Sequence, residues 1–392
     1  MVSNRSGNGF NLRKLLRDER FWKVAFQVLT LISVLLALVF LISNLNRNMA
    51  QRGIRFGFGF LFNSAGFSIG ESVIEYRPQD PYAKALLVGL ANTLTLVAAG
   101  ISLATVVGIT AGVASFSQNW LVHKLSRAYV GLVRNIPLLL QLFFWYLAVY
   151  GLLPRPEGQL SLANLIFLNN RGINIPWPAN TPMAWLSLAL LIMAGLTALI
   201  IWRWRIHNIV EKGASGKAQS TVLIGIGVAA LIIFAFGLPW QAPQGIEGGG
   251  ATGGLRLSRE YAAALTALTF YTAAFIAEIV RAGIQSVSLG QWEAARSLGL
   301  PSGLGMRLVV FPQALRVIIP PLNSEFMNLA KNTSLGFAIA YPEIYNIANT
   351  TYNQTGRPVE VFLILMATYL AINLLISLGM NRLNQAVQFK ER

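Results

Sequence analysis

Long apolar runs, parted by short polar and often basic stretches, set out the plan of the chain. A helix of about 20 apolar residues crosses a hydrocarbon core, and such runs occur at 24–42, 85–116, 129–150, 183–202, 221–240, 261–280, 317–340 and 362–378. They predict eight spans and an all-α polytopic membrane protein that needs no strand and no soluble domain. Within 85–116, Gly89, Gly100 and Gly108 stand among Asn92, Thr93 and Thr95, and small and hydroxylated positions of this kind let membrane helices approach closely. The run at 129–150 is interrupted by Arg134, Asn135, Pro137 and Gln141. Pro137 points to a helix start or kink, and Arg134 can snorkel to the membrane surface.

The charges between runs orient them, because Lys and Arg collect on the cytoplasmic side. Arg13, Lys14, Arg17 and Arg20 precede the first run; His123, Lys124 and Arg127 follow the second; Arg203, Arg205, Lys212 and Lys217 fill the turn after 183–202; Arg382, Lys390 and Arg392 close the chain. Both termini are therefore expected in the cytoplasm, although Arg47, Arg52, Arg55 and Arg77 in the outer stretch 44–84 run against the rule. The first run is too long for a signal peptide and lacks a small-residue cleavage site, so it is a retained anchor. Phe56, Phe58, Phe60 and Phe62 alternate with small or apolar neighbours. They fit either a short strand or loop, or an aromatic segment lying at the membrane surface.

Composition agrees with this plan and removes several chemistries. Charged residues are 12% of the chain and hydrophobic ones 54%, against about 25% charged in soluble domains. The net charge of +16 follows from bilayer orientation, since no nucleic-acid-binding motif accompanies it. With no cysteine, and only His123 and His207 in basic connecting loops, thiol catalysis and a histidine metal site are not expected. The glycines at 248–254 lack the Lys-Ser or Lys-Thr ending of a phosphate loop and suit a flexible linker. Gly213 to Lys217 has the wrong spacing, so no ATP site is visible.

One stretch, 286–315, is too polar to span. Ser288 with Gln291 forms a possible capping box, and Gly299 with Pro301 supplies a stop, so a short helix carries Glu293, Ala294, Ala295 and Arg296. One acid beside two methyl-sized side chains is a docking knob: another backbone can come close while the carboxylate makes a charge-assisted contact. The pattern Glu293-Ala294-Ala295, then Gly299, then Val309, Phe311 and Pro312 resembles the EAA loop of the permease subunits of ABC importers. The stretch 134–146 resembles the first half of the core of the polar amino acid importers in that family.

The resemblance implies a five-helix type I importer core formed by 85–150 and 256–392. Before it come the N-terminus, first helix and outer segment (1–84), and within it an inserted helical hairpin with loops (151–255). It implies coupling through Glu293, Ala294, Ala295, Arg296 and Gly299 to a separate ATPase dimer. No cofactor is expected in this chain, with ATP and Mg held by that partner. A second, homologous permease, a periplasmic amino acid-binding protein and the lipid bilayer complete the expected surroundings, in a bacterial inner membrane.

The broken span 317–340 carries Pro320, Pro321, Glu325, Asn328, Lys331, Asn332, Thr333 and Ser334. Charge at bilayer depth is costly and usually faces a polar pathway or a partner. Glu325, Asn328 and Asn332 recur at helical steps, so they lie near one face. Glu325 is the expected partner of a substrate ammonium. Lys331, Asn332, Thr333 and Ser334 are expected to meet its carboxylate or line the route, with Asn92 and Thr93 beside them. Glu325 and Lys331 can equally balance each other or contact a neighbouring subunit. An ion-coupled secondary transporter, or a scaffold that recruits an ATPase, are the competing functions.

Overall fold

The computed structural model describes residues 19–51, 53, 56–212, 215–246 and 248–388. Arg13, Lys14, Arg17, Arg52, Arg55, Lys390 and Arg392, used above for orientation, lie outside the described residues. Twelve helices follow in order: α1 (Glu19–Gln51), α2 (Tyr82–Ala114), α3 (Trp120–Arg134), α4 (Leu138–Phe143, continued as a π-helix over Phe144–Tyr150), α5 (Pro182–Lys212), α6 (Lys217–Ile232), α7 (Arg259–Gln285), α8 (Leu289–Ser297), α9 (Ser302–Gly305), α10 (Phe311–Asn332), α11 (Ile344–Thr355) and α12 (Pro358–Val387). Among the described residues, seven helices or continuous helical stretches are long and apolar enough to cross a membrane, or eight when the bent pair α3–α4 counts as one span.

The core is α2, α7, α10 and α12 with α11 and the α3–α4 elbow against them. α2 and α7 run parallel and nearly touch. A Cβ placed on Gly108 would stand 2.6 Å from Cβ of Ile276, and one on Gly112 2.7 Å from that of Val280, so only glycine fits the seam. The close approach expected from the small residues of 85–116 is thus realised. α10 returns antiparallel, setting Ile318 against Gly283 and Leu329 against Gly100. By contrast α1 buries only Met49, and α5 and α6 pack chiefly on each other. Their exposed leucines and isoleucines suit a lipid environment.

Three expectations change. The run at 129–150 is not one straight span: α3 and α4 meet at 106°. Pro137 stands at the N-terminal cap of α4, and Gln141 Nε2 donates to the carbonyls of Val133 and Ile136 at the end of α3. Hence the polar residues that interrupt the run build the bend. His123 lies inside α3 and His207 inside α5, so neither is in a loop.

Second, the hairpin 151–255 carries strands. β1 (Leu160–Leu162), β2 (Ile166–Asn169), β3 (Gly172–Ile175) and β8 (Leu255–Ser258) form an antiparallel sheet in that order, beside the pairs β4 (Trp177–Pro178) with β5 (Trp240–Gln241) and β6 (Gln244–Gly245) with β7 (Ala251–Thr252). β8 runs straight into α7, whose first turn is capped by Ser258, so the sheet is joined to the core across the 255/256 boundary. The 248–254 glycines are not a loose linker: Gly250 donates to Pro156 O at 3.0 Å, and its carbonyl accepts from Gln159 Nε2.

Third, the phenylalanine segment forms a 3-10 turn over Gly59–Phe62 rather than a strand. Phe60 is buried against Tyr82, while Phe62 is exposed, and Gly57 N–H is held at 2.9 Å by the buried Glu360 carboxylate.

Candidate functional site

The polar stretch 286–315 folds as a short elbow beyond the C-terminal end of α7. α8 runs from Leu289 to Ser297 and closes with a Schellman arrangement: Leu300 N–H bonds to Ala295 O and Gly299 N–H to Arg296 O. Gly299 sits at φ +71°, the left-handed conformation that glycine tolerates. The stop expected from Gly299 is therefore present. The capping box is not: Ser288 makes no side-chain cap bond, and Gln291 Oε1 instead accepts from Gln313 Nε2 at 3.0 Å, tying α8 to α10.

Two faces of α8 separate cleanly. Trp292 and Val287 pack on the main apolar cluster. Ala295, only 4% exposed, lies against Gly305. The expectation that both alanines present a docking surface is thus corrected, because Ala295 lets α9 approach within the same chain. Glu293, Ala294 and Arg296 face outward beside the exposed Leu289 and Leu298. Neither charge forms an ion pair with a described residue.

The second candidate set lies on α10. Ile318, Leu322, Phe326 and Leu329 are buried on one side; Glu325 is half-buried and Asn328 and Lys331 exposed away from it. Among the described residues no ion pair joins Glu325 to Lys331. Glu325 instead feels the positive charge of Arg134 at the α3–α4 bend. That guanidinium stands 3.7 Å from Glu278, which also pairs with Arg281, and lies over the Phe275 ring. Sequence reasoning did not bring Arg134 and Glu325 near one another, because the two lie 191 positions apart. Asn332 is half-buried beside Leu138, Leu142 and Leu268. Ser334 Oγ donates to Lys331 O.

Three candidates lie buried. Thr333, Asn92 and Thr93 are 0% exposed and hydrogen-bond to backbone. Thr333 Oγ1 donates to Ala330 O. Asn92 donates to Glu71 O and Pro342 O and accepts from Val73 N–H. Thr93 donates to Gly89 O and accepts from Ile344 N–H. Asn92 and Thr93 fasten the segment 71–73 and α11 to α2.

At the opposite end of α7 lies a cavity of about 520 Å³ between Phe67–Glu71, the sheet and Ala340–Thr350. Its wall includes Glu71, Arg171, Arg256 and Glu260, a group that sequence reasoning did not assemble. Burial pushes the Glu71 carboxyl above its ordinary range, opposed by the hydrogen bond it accepts from Ser258 Oγ. No group of His, Cys, Asp and Glu among the described residues is arranged to hold a metal ion.

A helical membrane core with an outward acid on a glycine-stopped elbow agrees with what the comparisons show, the membrane component of a binding-protein-dependent transport system. The family model described as the binding-protein-dependent transport system inner membrane component matches residues 226–389. The chain belongs to the amino-acid ABC transporter permeases. It is 42% identical to the putative amino-acid ABC transporter permease protein YhdX of Escherichia coli K12, over 94% of both chains. Identity is 40% to the general L-amino acid transport system permease protein AapQ of Rhizobium johnstonii, over 98% of this chain and 97% of that one. With the glutamate/glutamine/aspartate/asparagine transport system permease protein BztB of Rhodobacter capsulatus it is 38%, over 98% of each.

Proposed function

We propose that this chain forms half of an inward amino acid pathway in a bacterial inner membrane, with both termini cytoplasmic. A separate ATPase dimer binds the outward face of α8 and hydrolyses ATP with Mg. A homologous second permease supplies the other half, and a periplasmic binding protein delivers the substrate. The observation that carries this reading is the outward pair Glu293 and Arg296 on a helix whose other face is fixed to the core, the design of a lever rather than a solvated loop. α7 spans about 40 Å at 1.5 Å per residue, so α8 and the sheet lie on opposite sides of a bilayer. A broad or polar substrate range is supported by the names of the relatives.

Along α10, Glu325 meets the substrate ammonium, with Asn328, Lys331, Asn332 and Ser334 on the route. Proteoliposomes holding the purified complex, ATP inside and a labelled L-amino acid hydrolysate with binding protein outside, test both statements. Uptake requires ATP, and Glu325→Gln lowers it about tenfold, the loss expected of one charge-assisted hydrogen bond. Uptake by this chain alone on an ion gradient would identify a secondary transporter, and unchanged uptake and substrate range in Glu325→Gln would remove Glu325 from the pathway.

A further inference from the structure

The cavity at the sheet end is not needed for coupling, and the chemistry of its wall is unlike that of the helical core. Pairing of β3 with β8, in the register Gly172↔Ser258 and Asn174↔Arg256, puts Arg256 and the Arg171 that precedes β3 on the wall of one cavity, although 85 positions separate them in sequence. Arg256 and Ser258 stand two residues apart on one strand and so share a face. Ser258 links the sheet to Glu71 by its hydroxyl and caps α7 by accepting from Tyr261 N–H at 3.0 Å. The first turn of α7 then adds Glu260, which accepts from Tyr146 O–H at 3.1 Å and lies 3.8 Å from Arg259. A second hollow of about 340 Å³ shares Arg171, Arg256 and Glu260 with the first.

Glu71 and Glu260 are therefore held in place by the chain. The Arg171 and Arg256 side chains are exposed, and neither guanidinium makes a hydrogen bond or ion pair to a described residue. Two exposed forked cations and two fixed carboxylates line one hollow of small-molecule size and match the two ends of a free α-amino acid. Guanidinium takes a carboxylate bidentately, and an ammonium offers three donors.

We propose that this cavity is an outer staging site for a free α-amino acid, its carboxylate taken by Arg171 and Arg256 and its ammonium by Glu71 and Glu260. The proposal rests on the amino acid reading above. Recognition of the two charged ends leaves the side chain toward Phe67, Ile347 and Thr350, an apolar and hydroxyl-bearing wall that discriminates little.

Binding of a uniformly ¹⁴C-labelled L-amino acid hydrolysate to the full chain with its partner permease in nanodiscs, without ATPase or binding protein, tests it. Competitors are N-acetyl amino acids, which lack the ammonium, and amino acid amides, which lack the carboxylate. Wild type should reject both. Arg256→Gln should weaken binding about tenfold, as for one charge-assisted hydrogen bond, and admit the amides while still rejecting N-acetyl competitors. Glu71→Gln should do the reverse. Should Glu71→Gln fail to fold because it touches the α7 cap, the exposed Arg256→Gln carries the test alone. Arginine variants that leave affinity and competitor order unchanged overturn the proposal, as does an effect confined to affinity for the binding protein, which would make the wall a docking surface. ATP-driven uptake that persists while this binding is absent would sink the staging site and leave the importer standing; amino acid binding with this competitor order but no uptake would do the opposite.

Discussion

The two ends of α7 treat polar groups in opposite ways. At the sheet end they turn inward: Asn92 holds three backbone groups from 71, 73 and 342, and Ser258 holds Glu71 while capping the helix. At the elbow end Glu293 and Arg296 turn outward and make no ion pair with a described residue. A polar group satisfied inside is costly to remove from the fold, whereas an exposed one with nothing to lose inside costs little. The contrast assigns stability to Asn92 and Ser258 and partnership to Glu293 and Arg296. It also states what each substitution should disturb.

The shaft joining the two ends should show the largest effect. Gly108→Val forces side-chain atoms into Ile276 and the Ala273 carbonyl, 2.6 and 2.9 Å from the added Cβ. Such overpacking costs about 3 kcal/mol or more, so size-exclusion chromatography should lose the monodisperse peak and both ends should fail together. Next comes Asn92→Leu, which strands the three backbone groups. A loss on the order of 3 kcal/mol should appear as a lower Tm in detergent, while copurification of an ATPase with the surviving protein stays intact. Smallest is Ser288→Ala. Its hydroxyl makes no cap bond, so stability should stay within about 0.5 kcal/mol; a Tm loss matching about 1 kcal/mol would restore the capping box.

Much of the helical frame was legible because its causes are local. Eight apolar runs correspond to the seven spans and the bent pair, and the glycines of α2 announced a close seam that Gly108 and Gly112 provide. Gly299 announced the stop of α8. What could not be read depends on distant pairing. Strands of two to four residues are too short for a period-2 pattern, so β3 and β8, on either side of the helical hairpin, stayed hidden. Their arginines therefore stayed apart. Burial divides the Glu293-Ala294-Ala295 triplet in a way its composition does not, because only the position of Gly305 decides that Ala295 faces inward. Asn92 and Thr93 looked like pathway groups because a polar side chain in an apolar run signals either a route or a fastening, and only their partners tell which.

The direct test of the central claim is copurification of the tagged chain in mild detergent, wild type against Glu293→Arg, with mass spectrometry of the bound proteins and a Tm for each. Wild type should bring an ATPase and a second permease, and Glu293→Arg should lose the ATPase alone, at unchanged Tm. An ATPase retained by Glu293→Arg, or a wild-type chain that purifies alone and takes up amino acids on an ion gradient, would contradict the account.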